Sequence, residues 1–389
     1  MRVKYVFPLR QHVGAPSQPL VKPDDLVKRG QLIAEPNGLG ANIHTSVSGR
    51  VAAVDDARIV IEADNEQPDT FVPLTAESPL ELIKQAGIVG AGGAGFPTHV
   101  KFGKPIPHGT VIANAAECEP LLHHNIQFIE EHPDVIIRGV KIIMDIVQAD
   151  TGYIVIKTKH LKALTALGKA CKGLSNISVK ILPDMYPAGD ERVIIREILG
   201  IVLEPGALPS TANAVISNVE TIKNIVQAVE LKRPVITKDI TVGGLVKNPS
   251  VFLDVPLGTT VQEYIDKCGG YVEPHGEIVL GGPFTGKHGE PDAVIVKTLG
   301  GILVSMPFPQ ETRRIGVIGC ECGAGIERLK EIAAGMGAQV VAETTCKRMV
   351  DVNGRLRCDL PGVCPGQAEK VLYLKKNGAE VILTGTCED

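Results

Sequence analysis

The sequence predicts a multi-domain α/β protein whose central part is a parallel sheet covered by helices. Three observations carry that prediction. From about residue 66 to residue 232, strand-like and helix-like patterns alternate, as they do when crossover helices join parallel strands. Residues 1–65 instead hold short Val-, Pro- and Gly-rich runs broken by turn signals, with no helical period. After residue 310 the composition shifts again, and six of the nine cysteines fall between Cys320 and Cys387. A chain of 389 residues also exceeds what one ordinary core supports, so several domains are expected.

Composition narrows the function classes. An apolar fraction of 44% with 22% charged residues is that of a globular protein. No tract of about 18 apolar residues occurs, so no direct membrane insertion is expected. Met1-Arg-Val-Lys-Tyr-Val-Phe7 lacks an apolar stretch followed by a small-residue cleavage site. It is not read as a signal peptide, and the expected location is cytoplasmic. The net charge is −4 and no basic stripe interleaved with aromatics is present, so nucleic acid is not an expected partner. Nine cysteines without a secretory signal suggest a reducing compartment and thiols used for redox or metal chemistry.

Taken in order, residues 1–65 read as a small all-β module, with turns at Val13-Gly14-Ala15-Pro16, Lys22-Pro23-Asp24-Asp25, Arg29-Gly30 and Ser48-Gly49. Residues 66–232 open with a helix-like stretch in which Ser78 and Glu81 are spaced as a capping box around Pro79. Gly87-Ile-Val-Gly-Ala-Gly-Gly-Ala-Gly-Phe-Pro97 follows, with four glycines between Gly90 and Gly95. Val111 to Ala113 reads as a strand. The next helix spans about Val135 to Val147, where Ile136, Val140, Ile143 and Val147 form one apolar stripe. A strand at Tyr153 to Ile156, a helix at Leu161 to Ala170 and a strand at Val179 to Leu182 come next. Helices at about Glu191 to Leu199 and Val219 to Val229 close the segment. Residues 233–310 return to β patterning, with one short helix near Thr260 to Lys267 and Cys268 as a buried thiol. Residues 311–389 begin with a strand at Arg314 to Gly319 and a helix running to Gly335. They continue with a strand at Gln339 to Val341, a helix at about Glu369 to Lys376 and a strand at Glu380 to Leu383.

The glycine cluster suits a backbone cradle for a nucleotide or flavin phosphate, because no Cβ keeps the N–H groups from an anion. The plain alternative is a turn between helix and strand. Asn114-Ala-Ala-Glu117-Cys-Glu119-Pro120 stands just past a strand, where a parallel sheet opens its ligand crevice. Glu117 and Glu119 point the same way if the chain stays extended, and could bind ring nitrogens, ribose hydroxyls or a nicotinamide. A polar loop is the alternative. Tyr186-Pro-Ala-Gly189-Asp190-Glu191 and Asn218-Val-Glu220-Thr221 each open a helix, for which capping and dipole complementation are the plain explanations. His123 and His124 read as surface histidines, with metal ligation as the alternative.

GAGGAGFPTHVK, NAAECEP, YPAGDE and SNVETI stand in this order, and together they resemble the RnfC family, the peripheral electron-input subunits of the Rnf complex. The same motifs resemble the flavin-carrying subunit of respiratory complex I. PLRQHVGAPSQPLVKPDDLVKRGQ matches the family's N-terminal barrel-sandwich hybrid, a biotinyl/lipoyl-like module without a carrier lysine. GGLVKNPSVFLDVPLGTT and GGPFTG resemble its SLBB (soluble-ligand-binding β-grasp) module. The implied architecture is a barrel-sandwich hybrid at 1–65, a Rossmann-like FMN domain at 66–232, an SLBB module at 233–310 and a cysteine-rich α/β redox domain at 311–389. The resemblance implies an FMN site. Gly90, Gly92 and Gly93 would lie against the phosphate and ribityl chain, with Lys101 supplying positive charge. Asn114 and Glu117 would face the isoalloxazine, and Asn218 and Thr221 would close the phosphate side. Glu119, Tyr186, Gly189 and Glu191 would border a nicotinamide, with NADH as candidate donor. Complex I relatives carry an acidic residue at the position of Ala116, an arginine at Ala91 and an aromatic residue near Lys104. Those departures bear on NADH more than on FMN.

The family's two runs of Cys-x-x-Cys-x-x-Cys-x-x-x-Cys-Pro, which hold 4Fe–4S clusters, do not occur in this chain. In their place stand Cys320, Cys322, Cys346, Cys358, Cys364 and Cys387, a layout similar to the PrdC group of RnfC-like proteins associated with D-proline reductase. Cys320 and Cys322 follow a strand and precede a helix, a setting that lowers thiol pKa and favours redox exchange. Three readings of the tail stand side by side: a dithiol/disulfide relay through Cys320 and Cys322, a metal or iron–sulfur site on Cys320, Cys322, Cys358 and Cys364, and ordinary buried thiols. The expected function is flavin-dependent electron transfer to a partner reductase of the D-proline reductase type or to the membrane Rnf complex. The alternatives are a flavin-free adaptor and a metal-binding reductase subunit.

Overall fold

The protein is described from a computed structural model over residues 3–93 and 95–385. Cys387, one of the tail cysteines named above, lies outside the described residues. The N-terminal strands are β1 (Lys4–Pro8), β2 (Ser17–Pro19), β3 (Leu26–Val27), β4 (Leu32–Pro36), β5 (Ile43–His44), β6 (Gly49–Val54) and β7 (Arg58–Ala63). They form two small antiparallel sheets, ordered β1-β7-β6-β3 and β2-β4-β5, with Phe7, Ile33, Ile43, Ile59 and Ile61 fully buried between them.

The central domain opens with α1 (Pro79–Gln85), whose first turn is capped by Ser78, the hydroxyl accepting from Glu81 N at 3.3 Å. The glycine loop leads into a short α2 (Thr98–Phe102). The sheet is built from β8 (Thr110–Ala115), β9 (Thr151–Lys157), β10 (Ile177–Leu182) and β11 (Ala214–Asn218), all parallel and ordered β10-β9-β8-β11. Helices α3 (His124–Glu131), α4 (Pro133–Val147), α5 (Leu161–Ala170), α6 (Glu191–Leu199) and α7 (Val219–Leu231) cover it. On α4 the apolar stripe is buried as its spacing requires: Ile136, Val140, Ile143 and Val147 have no exposed surface. From β8 the chain moves outward through β9 and β10, then returns to place β11 on the other side of β8. The strand order therefore reverses between β8 and β11, and the carboxyl ends of these two parallel strands are the switch point at which such sheets open a ligand crevice.

The third module holds a mixed sheet ordered β13-β12-β16-β14-β15, from β12 (Thr237–Gly244), β13 (Ser250–Pro256), β14 (Ile278–Leu280), β15 (Lys287–Gly289) and β16 (Gly301–Val304), with α8 (Val261–Lys267) against it. Cys268 is fully buried, as the sequence predicts. Buried ion pairs tie this sheet to α7. Lys238 donates to Glu220, and Lys223 Nζ lies 2.7 Å from Asp239 and 3.2 Å from Asp254. Lys297, buried and without a carboxylate beside it among the described residues, donates to the carbonyls of Asn42 and Gly87, pinning all three modules together. One apolar core runs through these modules without interruption.

The tail has a separate core. Strands β17 (Ile315–Gly319), β18 (Val340–Thr345) and β21 (Val381–Thr384) form a parallel sheet ordered β18-β17-β21. Helices α9 (Ile326–Gly335) and α10 (Ala368–Lys376) flank it, and a hairpin of β19 (Met349–Val352) and β20 (Arg355–Cys358) projects from it. Its buried cluster is small: Ile315, Val317, Leu329 and Ala333. No helix among the described residues is long and apolar enough to cross a membrane.

Candidate functional site

The crevice between β8 and β11 is where the sequence motifs converge. Asn114 and Asn218 are register partners at the carboxyl ends of these strands. The glycine loop arches over this end. Val89 pairs with Pro97 at its base, and Gly90 closes it twice, donating to Phe96 O at 2.9 Å and accepting from Gly95 N at 3.2 Å. Helix α7 holds the loop: Thr221, buried on its first turns, accepts from Ala91 N at 3.0 Å. Gly92 and Gly93 are left exposed at the rim. Gly93 has φ +131°, a conformation that L side chains rarely adopt. A Cβ on Gly92 would stand 3.2 Å from Asn218 Nδ2, so any side chain there fills the space between loop and helix. Asn218 caps α7 through its side chain, accepting from Glu220 N at 2.9 Å. A glycine rim, an exposed backbone and a helix N-terminus beside them are a fitting donor set for a phosphate-bearing ligand.

The remaining residues of the site are engaged in ways the sequence only partly predicts. Asn114 Nδ2 donates to Gly189 O at 3.0 Å, joining the end of β8 to the turn before α6. Gly189 packs against Cys118, where a Cβ would lie 2.9 Å from that of the cysteine. Lys101 Nζ sits 2.6 Å from Glu191 Oε1, so its charge is already paired. The chain does not stay extended through the Glu117–Glu119 stretch. Glu117 adopts φ +38°, and the two carboxylates diverge. Glu117 turns to Asn125 N at 3.2 Å. Loss of water around its carboxyl pushes its pKa up to about 7. Glu119 turns the other way, accepting from Phe284 N at 2.9 Å and Thr285 N at 3.0 Å in the GGPFTG turn. His124 is not a surface residue. It is buried, hydrogen-bonded to Thr241 at 3.1 Å, and desolvation keeps it neutral; His123 is the more exposed of the two.

Tyr186 leads out of the crevice towards the tail. Its ring packs edge-on to Phe284 at 4.6 Å, and its hydroxyl donates to Cys322 O. Burial, reinforced by Glu119 and the nearby thiols, raises its pKa. Asp190 caps α6, accepting from Arg192 N at 2.8 Å. Arg192 then reaches Glu321 at 3.1 Å and Cys358 O at 2.5 Å. Arg196 donates to Pro361 O at 2.8 Å. The cysteine loop is thereby docked onto the segment that borders the crevice. Cys322 hydrogen-bonds with Cys320 and Cys358, and these contacts raise its pKa; Cys346 is raised by its bond with Cys320. Cys358 is lowered by the Cys322 thiol. Among the described residues no group of three or more His, Cys, Asp or Glu side chains is arranged to hold a metal ion. Cys364 is exposed. Sequence reasoning missed Arg192, Glu321 and Phe284. Glu321, set between two cysteines, was the one available signal. A hollow of about 710 Å³ on the outer face of α5, lined by Leu161, Lys162 and Thr165 among others, is distant in chemistry from all of this and gathers no convergent polar groups.

Residues 1–72 match the RnfC barrel sandwich hybrid domain, and residues 83–227 match the Nuo51 FMN-binding domain. The chain is 38% identical over 323 residues to a subunit of the proton-translocating ferredoxin:NAD(+) oxidoreductase complex of Clostridium ljungdahlii, covering 77% of this chain and 70% of that protein. It is 34% identical over 302 residues to the Na(+)-translocating counterpart of Acetobacterium woodii, covering 72% and 68%. To cobalamin reductase PduS of Citrobacter freundii it is 39% identical over 239 residues, covering 59% and 52%. Among solved structures, an NAD+-reducing [NiFe]-hydrogenase in the air-oxidized state shares the fold, with TM-score 0.50 and 20% identity, over 59% of this chain and 46% of that one. The chain belongs to the RnfC family and carries the family's barrel-sandwich hybrid together with an FMN-binding domain of the Nuo51 type.

Proposed function

We propose that this chain is an electron-transfer subunit that passes electrons from a pyridine nucleotide, through FMN and then the tail thiols, to a partner reductase. The observation that carries the proposal is the docking of the Cys320–Cys322 loop onto Tyr186 and Arg192, directly beside the FMN-domain crevice. FMN, when bound, supplies interconversion between two-electron and one-electron chemistry. The chain's own residues hold and shield it. Gly92 and Gly93 admit the phosphate to the backbone, Gly90, whose own N–H and carbonyl close the loop, holds its shape instead of meeting the phosphate, Thr221 fixes the loop from behind, and Asn218 stands at the helix end beside it. Asn114 and Glu117 line the floor, and Glu117 can hold a proton there near neutral pH. Lys101 and Glu191, paired with each other, border the entrance as a neutral couple.

With Glu119 committed to the GGPFTG turn and Tyr186 to the tail, these two residues act as supports of the nicotinamide side, positioning Phe284 and the cysteine loop. NADH is the proposed donor, and a D-proline reductase-like enzyme or the membrane Rnf complex the proposed acceptor. The SLBB reading of residues 233–310 and the four-part division at 65, 232 and 310 belong to the same proposal. An anaerobic spectrum of purified chain, reconstituted with FMN and then treated with NADH, tests it. Retained flavin absorbance that bleaches on NADH addition is expected. Protein that takes up no flavin would make the chain an adaptor, and stoichiometric iron or zinc by elemental analysis would make it a metal-binding subunit.

A further inference from the structure

Outside the crevice, the chain's reactive groups gather where the tail meets the central domain. Cys320 and Cys322 come from the loop after β17, Cys346 from the residue following β18, and Cys358 from the end of β20. Cys322 is within hydrogen-bond reach of both Cys320 and Cys358. Cys346 reaches Cys320 and accepts from Gln367 Nε2 at 3.1 Å. Two of these four are held by the central domain through their own backbone: Tyr186 grips the carbonyl of Cys322, and Arg192 grips the carbonyl of Cys358. Glu321 completes the frame, accepting from Cys358 N, from Arg192 and from Arg357 at 2.7 Å. A bond between Cys320 and Cys322, two positions apart, would close a small, strained ring around Glu321. A bond between Cys322 and Cys358 closes across the frame instead.

We propose that the redox-active disulfide of the tail joins Cys322 to Cys358, and that it exchanges with a dithiol or disulfide of a partner protein. The inference rests on the relay reading above and names its reacting pair. In the reducing direction, a partner thiolate attacks Sγ of Cys322, the less buried of the two. The Cys322–Cys358 bond breaks and Cys358 leaves as a thiolate, favoured by the backbone N–H of Leu360 and by the Arg192 guanidinium, since Cys322 in the mixed disulfide has no proton left to donate. The sulfur with the better stabilised thiolate leaves faster, which selects Cys358 for this role. The partner's second thiol then displaces Cys322 from the mixed disulfide. One chain disulfide and two partner thiols become two chain thiols and one partner disulfide, with two electrons and two protons conserved. Oxidation is the reverse.

The test uses the full wild-type chain and needs no flavin. The protein is equilibrated in glutathione/glutathione disulfide buffers from reducing to oxidising, alkylated, digested and mapped by mass spectrometry. The expected result is one cross-link joining the Cys322 and Cys358 peptides, appearing in a single two-electron transition. In Cys358→Ser, that cross-link is replaced by a glutathione adduct on Cys322. A bond from Cys322 to Cys320, or to any other cysteine, overturns the pairing and leaves the relay reading standing. Full alkylation of every tail cysteine at all buffer ratios overturns both.

Discussion

The glycine-loop crevice and the cysteine loop are neighbours, yet they are built on opposite principles. The crevice stands on an apolar core shared by three modules and on buried ion pairs between α7 and β12. The cysteine loop stands on a four-residue core of its own and is fastened by one tyrosine, two arginines and a glutamate. A shared core makes the three modules open and close together, because separating them exposes apolar surface at roughly 25 cal/mol per Å². A polar seam exchanges its hydrogen bonds for water at a net loss of about 1–3 kcal/mol each, the larger values belonging to the charged groups. The crevice is thus held by an apolar core common to three modules, whereas the tail is joined to them through polar contacts, with the largely buried Arg328–Glu277 pair as a further link to the third module.

The largest effect expected from breaking this contrast lies in the body. Lys238→Met leaves Glu220 buried without its cation and should destabilise the three-module body by about 3–5 kcal/mol. Urea denaturation followed by hydrogen exchange reads it, with tail protection changing no more than the body's. Adding Glu220→Leu should restore much of the loss, since removing both members of a buried pair leaves no orphaned charge. If the single variant melts like wild type, the ion pair is not what couples α7 to β12.

Gly92→Val comes next. The valine methyls would occupy the space between loop and Asn218, and FMN affinity should fall on the order of a hundredfold, read by quenching of flavin fluorescence. Thiol mapping of the tail should be unmoved. Affinity within twofold of wild type would place the phosphate elsewhere. Arg192→Ala acts on the other side of the contrast. It removes the contacts to Glu321 and Cys358 O and should cost about 1–3 kcal/mol of docking. Faster amide exchange over residues 355–362 with unaltered FMN affinity is the expected signature. Coupled loss of both would mean that the tail is part of the flavin site.

Legibility in the sequence followed locality. Helices Leu161–Ala170 and Glu191–Leu199 are bounded as their periodicity predicts, because an apolar stripe, an Asp190 cap and a Gly200 stop are all written within a few residues. The crevice was legible for the same reason: Asn114 and Asn218 each end a strand or open a helix in a readable motif. What could not be read was long-range. Strand β11 is only five residues long and runs straight into a helix, so periodicity does not reveal it. The divergence of Glu117 from Glu119 depends on a left-handed residue and on a turn 165 residues away. His124 looks like half of a polar doublet until Thr241 from another module covers it. Cys358 carries no spacing that pairs it with Cys322, because hairpin β19–β20 brings it there from far downstream.

The smallest predicted effect is also the most specific. Glu117 is held at a pKa of about 7, above its unfolded value near 4.3, so the folded protein binds this proton more tightly than the unfolded chain. The stability it contributes is full below about pH 4.3 and is lost as pH rises through 7. Protonated, the carboxyl can serve Asn125 Oδ1, which is buried and has no hydrogen-bond partner among the described residues. Glu117→Gln mimics that protonated form at every pH. The melting temperature of the variant relative to wild type, both flavin-free, should therefore rise from pH 5 to about pH 7 and level off above it. Glu220, also raised to about 7, pulls stability down over the same range, while Lys297, lowered to about 7 by burial, pushes it up at higher pH. Both are present in variant and wild type, so they cancel in the difference. A gap that stays constant or narrows from pH 5 to about pH 7 would mean that Glu117 is ionised in the crevice and cannot hold a proton beside the flavin.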